Sequence, residues 1–279
     1  MNKPPPPAKW KLPLVVVGVL AIGVGLYLQR PREFEFQGKK LTRWLDDLEA
    51  SQPQKTRDAA KEALRQMGTN VVPSLLAMLR SAPSYSKRQM ASSIGQAELA
   101  HRRGMGGFQA LGAVALPALT NYLAKPETAT TTAHALSQVG GDGIPQLLHA
   151  LTNENALVRQ RVELGLDPSR ETGQALVPAL IRNLKDNDSH VRAYAALALG
   201  KLGVESDLVL PALIEALQDP NAEARSLVAE ALGQFGPKAK AAILPLLNTS
   251  KDKDPQVSSA AFKALTLIDP DAAQKAGVK

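Results

Sequence analysis

A proline recurs along the chain and opens an apolar segment each time. The steps between successive copies are 44, 28, 33, 33 and 34 residues, and leucine follows each proline by two positions. Proline is tolerated in the first turn of a helix, where its missing N–H has no intrahelical partner, so each copy marks a helix start. The six copies are Pro73, Pro117, Pro145, Pro178, Pro211 and Pro245. The chain is therefore built from repeats.

One complete repeat spans residues 188–220 and contains two apolar stripes with the i, i+3/i+4, i+7 spacing of helices. The first stripe is Val191, Ala195, Ala198 and Leu202, and the second is Leu210, Leu213, Ile214 and Leu217. Each repeat is thus predicted to be a pair of helices. A single pair cannot bury both of its apolar faces, so neighbouring pairs must stack into an α-solenoid with one continuous core.

Two segments carry a family resemblance. DSHVRAYAALALGKLG and NAEARSLVAEALGQFG, followed by LPAL and ILPLL, resemble HEAT repeats of the bacterial phycobilin-lyase-like type. The resemblance covers residues 54–279 and implies an all-α solenoid of about six to seven HEAT-like helix pairs. In such arrays aspartate and arginine side chains form ladders between repeats. The positions here that match the ladder are Arg159, Asp188, Arg192, Asp219 and Arg225.

The N-terminal region predicts a membrane anchor. Residues 1–11 form a short basic, proline-rich tail, and residues 12–29 carry no charge. A run of this length is at the lower limit for crossing a bilayer, which predicts a single transmembrane signal-anchor helix; a cleaved signal peptide is the alternative. The basic tail favours a cell-membrane protein with one span and an extracytoplasmic solenoid.

Residues 30–53 are predicted to be a linker with a short capping helix. Leu41, Trp44, Leu45 and Leu48 fall at helical spacing, which makes Thr42 to Glu49 amphipathic. An array needs an element that covers the apolar face of its first repeat. Docking of Trp44 onto a partner is the alternative. The 44-residue step between prolines predicts an inserted loop and extra helix within residues 81–98.

No catalytic, metal or cofactor site is evident in the sequence. There is no cysteine, and the four histidines are dispersed, without the His-Glu pairs of HEAT-like iron hydroxylases or a zinc-protease motif. Beyond residue 32 there are 28 basic and 26 acidic residues, so the solenoid is nearly neutral. This balance argues against a nucleic-acid partner. No enzymatic activity and no cofactor are expected.

These features favour a membrane-anchored, non-catalytic scaffold that binds a polypeptide partner on the concave face of the solenoid. A phycobilin-lyase-like enzyme or enzyme subunit, and a HEAT-like nucleic-acid-binding protein, are the alternatives. The second helix of each repeat is expected to line the concave face, with core residues at −1, +2, +3 and +6 from the proline. Positions +1, +4 and +5 then form the candidate partner-binding row: Asn121, Tyr122, Gln146, His149, Arg182, Asn183 and Glu215.

Overall fold

The computed structural model describes residues 33–80, 91–167 and 170–275, without the side chains of residues 91–94, 170–172 and 275. The chain divides into two compact units, which meet between Leu41 and Thr42. The described part of the first unit is a small antiparallel hairpin of β1 (Glu35–Phe36) and β2 (Lys39–Lys40). Its turn places Gln37 and Gly38 at positive φ. The sequence analysis did not predict this hairpin within the linker.

The described residues from Leu41 onward are helical, and after the short helix α1 the helices alternate between first and second members of a repeat. The helices are α1 Leu41–Asp46, α2 Gln54–Met67, α3 Val72–Arg80, α4 Ala91–Leu111, α5 Leu116–Leu123, α6 Pro126–Val139, α7 Ile144–Ala150, α8 Ala156–Gly165, α9 Arg170–Asn183, α10 Ser189–Leu202, α11 Ser206–Ala216, α12 Ala222–Gln234, α13 Ile243–Thr249, α14 Pro255–Ile268 and α15 Pro270–Lys275. Helices α2 to α15 form the helix pairs of an all-α helical-repeat solenoid, as predicted. Even-numbered helices are the first of each pair and odd-numbered helices from α3 onward are the second.

Four first helices begin with a side-chain cap at the same point of the repeat. Asn155, Asp188, Asn221 and Asp254 accept hydrogen bonds from backbone N–H groups of the first turn. An N-cap oxygen satisfies a donor that has no intrahelical partner. This periodic cap explains why α8, α10, α12 and α14 start in register.

The structure confirms that the residue two positions after the repeat proline is buried in the core in five of the six copies. Leu75, Leu119, Leu147, Leu180 and Leu213 are fully buried. The last copy is different, because Leu246 is fully buried while Leu244 is 72% exposed. Pro245 therefore lies one position closer to the buried leucine of its repeat than the other prolines do, which corrects the predicted register of this repeat. The predicted helix starts at Pro178 and Pro211 are also corrected, because both prolines lie inside their helices, α9 and α11.

The first helices of the last repeats approach one another closely. A Cβ atom built on Gly200 would lie 2.8 Å from the Cα of Ala231, and one on Gly233 would lie 2.9 Å from the Cα of Ala264. Both contacts are too short for any larger side chain. Glycine at these two positions is therefore required by helix packing.

Helix α1 packs on the first helix of the second repeat. A Cβ atom built on Gly107 of α4 would lie 3.1 Å from Cδ2 of Leu45, and Arg103 of α4 pairs with Asp46 at 2.6 Å. The helix ends at Asp46, three residues before the predicted end. The predicted loop that begins at Ser81 lies outside the described residues, whereas α4, at 21 residues, carries the extra helical length.

The membrane part of the predicted fold class and the predicted single-pass localisation are corrected. Among residues 33–80, 91–167 and 170–275, no helix is long and apolar enough to cross a bilayer. A crossing helix needs about 20 predominantly apolar residues. The longest described helix, α4, carries Glu98, Arg102 and Arg103 within its 21 residues. The predicted span, 12–29, lies outside the described residues.

Candidate functional site

The second helices expose one position of the predicted partner-binding row in each of five repeats. The residue four positions after the proline is exposed in every one of them: Ala77, Asn121, His149, Arg182 and Glu215. The position one residue further is half-buried or buried. Tyr122 is half-buried, with the Nζ of Lys125 5.8 Å from its ring centroid.

Asn183 does not belong to the exposed row, which corrects the prediction. Its side chain is 6% exposed and donates from Nδ2 to the carbonyl of Leu151 at 3.1 Å and to Oε1 of Glu163 at 2.8 Å. The helix of its repeat turns this position toward the preceding helix pair. Asn183 therefore has a structural role in a buried polar contact.

Clefts separate successive second helices and gather some of the predicted residues. Gln146 and His149 line a cleft of about 320 Å³ between α5 and α7. Glu215 lines another of about 280 Å³ between α9 and α11, where it pairs with Lys185 at 2.9 Å. The structure thus brings Gln146 and His149 together and places Glu215 in a separate cleft.

The first helices of the last three repeats form the more closely packed row. The glycine contacts between α10, α12 and α14 contrast with the clefts between the second helices. Small residues at these contacts therefore set the spacing between the first helices.

A groove of about 680 Å³ lies on the first-helix row. It lies between α12 and α14. Its lining residues are Ser226, Glu230, Gln234, Pro255, Gln256, Ser259, Ala260, Lys263, Ala264 and Leu267. The sequence analysis missed this groove because it searched only the second helices for a binding surface.

Arginine and aspartate side chains form a ladder across successive repeats. Each arginine of the ladder binds both carboxylate oxygens of an aspartate 27 residues later: Arg159 with Asp186, Arg192 with Asp219, and Arg225 with Asp252. Asp188, which matched the ladder by resemblance, instead caps α10 through the N–H groups of His190 and Val191. The ladder therefore links neighbouring repeats.

Two histidines that are distant in sequence stack between α4 and α6. The ring centroids of His101 and His134 are 5.3 Å apart, and Nδ1 of His134 lies 4.0 Å from Oδ2 of Asp167. Burial lowers the pKa of His134, with Asp167 acting to raise it and His101 to lower it. In the described part of the chain, no three acidic or histidine side chains are placed to hold a metal ion.

Comparison with known sequences decides the type of repeat. A model of the HEAT-repeat family matches residues 144–214 and 210–276. Residues 144–276 are therefore similar to HEAT repeats. No curated protein matches the chain.

Several solved structures are similar to the chain at low sequence identity. The karyopherin Kap121p bound to Nup53p is 15% identical with a TM-score of 0.46, over 85% of this chain and 30% of that one. A computationally designed armadillo repeat protein for modular peptide recognition is 16% identical with a TM-score of 0.40, over 82% and 100%. Human deoxyhypusine hydroxylase is 19% identical with a TM-score of 0.38, over 91% and 99%. These similarities concern the fold alone.

Proposed function

We propose that the chain is a non-catalytic interaction scaffold whose HEAT solenoid binds a polypeptide partner. In five repeats the second helix holds leucine at the buried position two residues after the proline, yet the exposed position two residues further holds a different residue type in each of them. Packing dictates the first position and leaves the second one free. A regular scaffold with a varied outward position is suited to recognise a polypeptide, whose side chains also vary along its length.

The contact surface proposed on the second helices consists of the six members of the predicted row that are not buried: Asn121, Tyr122, Gln146, His149, Arg182 and Glu215. It combines an aromatic ring, two amides, an imidazole and both signs of charge. Tyrosine and arginine are the residue types that most often dominate protein interfaces. Among these six, we therefore expect Tyr122 and Arg182 to contribute most to binding.

The test is a selection from a phage library of random peptides of about 16 residues, long enough for several helical turns or an extended segment. The full chain should enrich peptides that the thermally unfolded chain does not retain. Peptides that contact the second helices should bind the variant Tyr122→Ala with Arg182→Glu at least about tenfold more weakly. Its melting temperature should change little, because surface substitutions usually shift stability by about 0.5 kcal/mol or less.

Leu180→Ala is the matched control, because it alters the buried face of the helix that carries Arg182. It should lower the free energy of unfolding by about 2 to 5 kcal/mol. Failure of the library to enrich any peptide on the folded chain would refute the proposed function. If all enriched peptides bind Tyr122→Ala with Arg182→Glu as tightly as wild type, the second-helix row is excluded as the binding site.

A further inference from the structure

The groove between α12 and α14 is open because the last repeat has a small residue where the two preceding repeats have large ones. The equivalent positions, 33 residues apart, are Tyr194, Leu227 and Ala260. Ser226 and Ser259 form another equivalent pair of small residues beside them. The close contact of Gly233 with Ala264 fixes the distance between the helices, so the space above Ala260 cannot close by helix movement.

The walls of the groove carry complementary chemistry. Glu230 on α12 and Lys263 on α14 occupy equivalent positions of successive repeats and are both exposed. Leu267, near the end of α14, is 60% exposed and also lines the groove. The surface thus offers one acid, one base and an aliphatic side chain around a floor of small residues.

We propose that this groove binds an amphipathic helix of a partner polypeptide, which would be the ligand class of the scaffold function proposed above. The groove runs between two neighbouring first helices, and a helix lying along it would satisfy its own backbone hydrogen bonds. Small floor residues allow close approach of another helix, as they do between α12 and α14 themselves. The bound helix places aliphatic residues at i, i+3/i+4 and i+7 over Ala260 and against Leu267. A basic residue on one flank faces Glu230 and an acidic residue on the other faces Lys263.

The decisive variant is Ala260→Leu, which fills the groove with the side chain that stands at the equivalent position, 227, of the preceding repeat. Among the peptides selected on the wild-type chain from the same phage library, those with the helical aliphatic spacing should bind Tyr122→Ala with Arg182→Glu as wild type does and lose at least about tenfold in affinity on Ala260→Leu. Leu267→Ala should weaken the same peptides. Leu208→Ala is its matched control, because Leu208 is equally exposed at 60% and lies outside the groove.

A charge exchange tests the proposed orientation. Glu230→Lys with Lys263→Glu should weaken the selected peptides and favour versions in which their own acidic and basic residues are exchanged. This variant alters two exposed residues, and its melting temperature serves as the check that it folds.

The outcomes separate this inference from the scaffold function. Selected peptides that bind Ala260→Leu and Leu267→Ala as well as wild type would refute the groove and leave the scaffold function standing. If no peptide is selected at all, both proposals fail. If the aliphatic residues of the selected peptides alternate instead of following helical spacing, the proposal that the bound partner segment is a helix is refuted. Self-association of the wild-type chain in sedimentation, abolished by Ala260→Leu, would make a second copy the occupant and refute the partner helix.

Discussion

Replacing Arg192 with alanine should lower the free energy of unfolding by about 3 to 5 kcal/mol, because the substitution leaves a buried carboxylate without its partner. Nε and Nη2 of Arg192 bind the two carboxylate oxygens of Asp219 at 2.6 and 2.9 Å, and Nη1 binds the carbonyl of Asp186 at 2.8 Å. The side chain of Asp219 is only 6% exposed. Alanine removes these three contacts, a fourth from Nη1 to the carbonyl of Asn187 at 3.2 Å, and the charge that compensates Asp219.

Two control variants separate the buried pair from an ordinary surface pair. Lys185→Ala removes the ion pair between Lys185 and Glu215, and both of these side chains are about two-thirds exposed. This variant should lower the free energy of unfolding by less than about 1 kcal/mol. Arg192→Lys keeps the charge but cannot bind both carboxylate oxygens, so its stability should fall between those of wild type and Arg192→Ala. Urea unfolding followed by circular dichroism measures all three. A loss below about 1 kcal/mol for Arg192→Ala would show that the ladder does not stabilise the stack.

The ladder also predicts part of the acid sensitivity. Burial acts to raise the pKa of Asp219, but hydrogen bonds from Arg192 and from the N–H of Asn221 outweigh it and hold the pKa below its usual value. A lowered folded pKa contributes stability that is present above the unfolded value of about 3.9 and is lost as pH falls through the folded value. The stability difference between wild type and Arg192→Ala should therefore shrink at acid pH.

The fold could be predicted from the sequence because its repeat pattern follows directly from helix packing. The leucine two positions after the proline is buried in five repeats, since helical spacing alone turns this position inward. The register failed at Pro245 because packing fixes the buried position and not the proline. Pro178 and Pro211 lie inside their helices rather than in the first turn, so the distance of the proline from the helix start varies between repeats. The exposure of Leu244 and burial of Leu246 follow from the shift of register at Pro245.

The candidate site was less accessible to sequence reasoning. Helical spacing placed Asn183 outside the core, and only the contact with Glu163, 20 residues earlier, shows why it is buried. The groove at Ala260 arises from the absence of a large side chain. The sequence shows alanine at position 260 where the equivalent positions 194 and 227 hold tyrosine and leucine, but only the structure shows that residue 260 lines a groove. The burial of Asn183 depends on contacts with Glu163 in its own repeat and with Leu151 in the preceding one, and the groove depends on how α12 packs against α14; helical periodicity encodes neither.

Replacing Glu163 with glutamine should stabilise the protein at neutral pH and flatten the pH dependence of its stability. Glu163 is 1% exposed, and its Oε1 accepts a hydrogen bond from Nδ2 of Asn183 at 2.8 Å. Its Oε2 is buried without a hydrogen-bond partner among the described residues. Alanine stands at the equivalent positions 196 and 229 of the next two repeats, so the carboxyl group is not required by the repeat fold.

Burial raises the pKa of Glu163 well above its usual value. The hydrogen bond from Asn183 and the charge of Arg159 act in the opposite direction, while Asp186 and Asp188 add to the increase. A raised folded pKa means that the folded state holds the proton more tightly than the unfolded state does. The contribution to stability is therefore complete below the unfolded pKa of about 4.3 and is lost as pH rises toward the folded value.

Glutamine keeps the oxygen that accepts from Asn183 and does not ionise in either state. Relative to wild type, Glu163→Gln should therefore gain stability with rising pH, by up to about 1.4 kcal/mol per pH unit between the unfolded and folded pKa values. Urea unfolding at pH 5 and about pH 8 measures this change. Glu154→Gln is the matched control, because Glu154 is an exposed glutamate shortly before the same helix, and its stability should follow wild type at both pH values.

Parallel pH profiles for Glu163→Gln and wild type would contradict the prediction, because they would mean that Glu163 ionises as readily in the folded chain as in the unfolded one. A second variant tests whether a change in packing, rather than the ionisation of Glu163, accounts for the result. Asn183→Ala removes the hydrogen bond to Oε1 and keeps the acid, and alanine is the residue at the equivalent position 216. Because that hydrogen bond acts to lower the pKa of Glu163, its loss should make the stability of Asn183→Ala fall more steeply with pH than that of wild type. Opposite changes of slope in the two variants can arise only if the buried carboxyl group itself titrates.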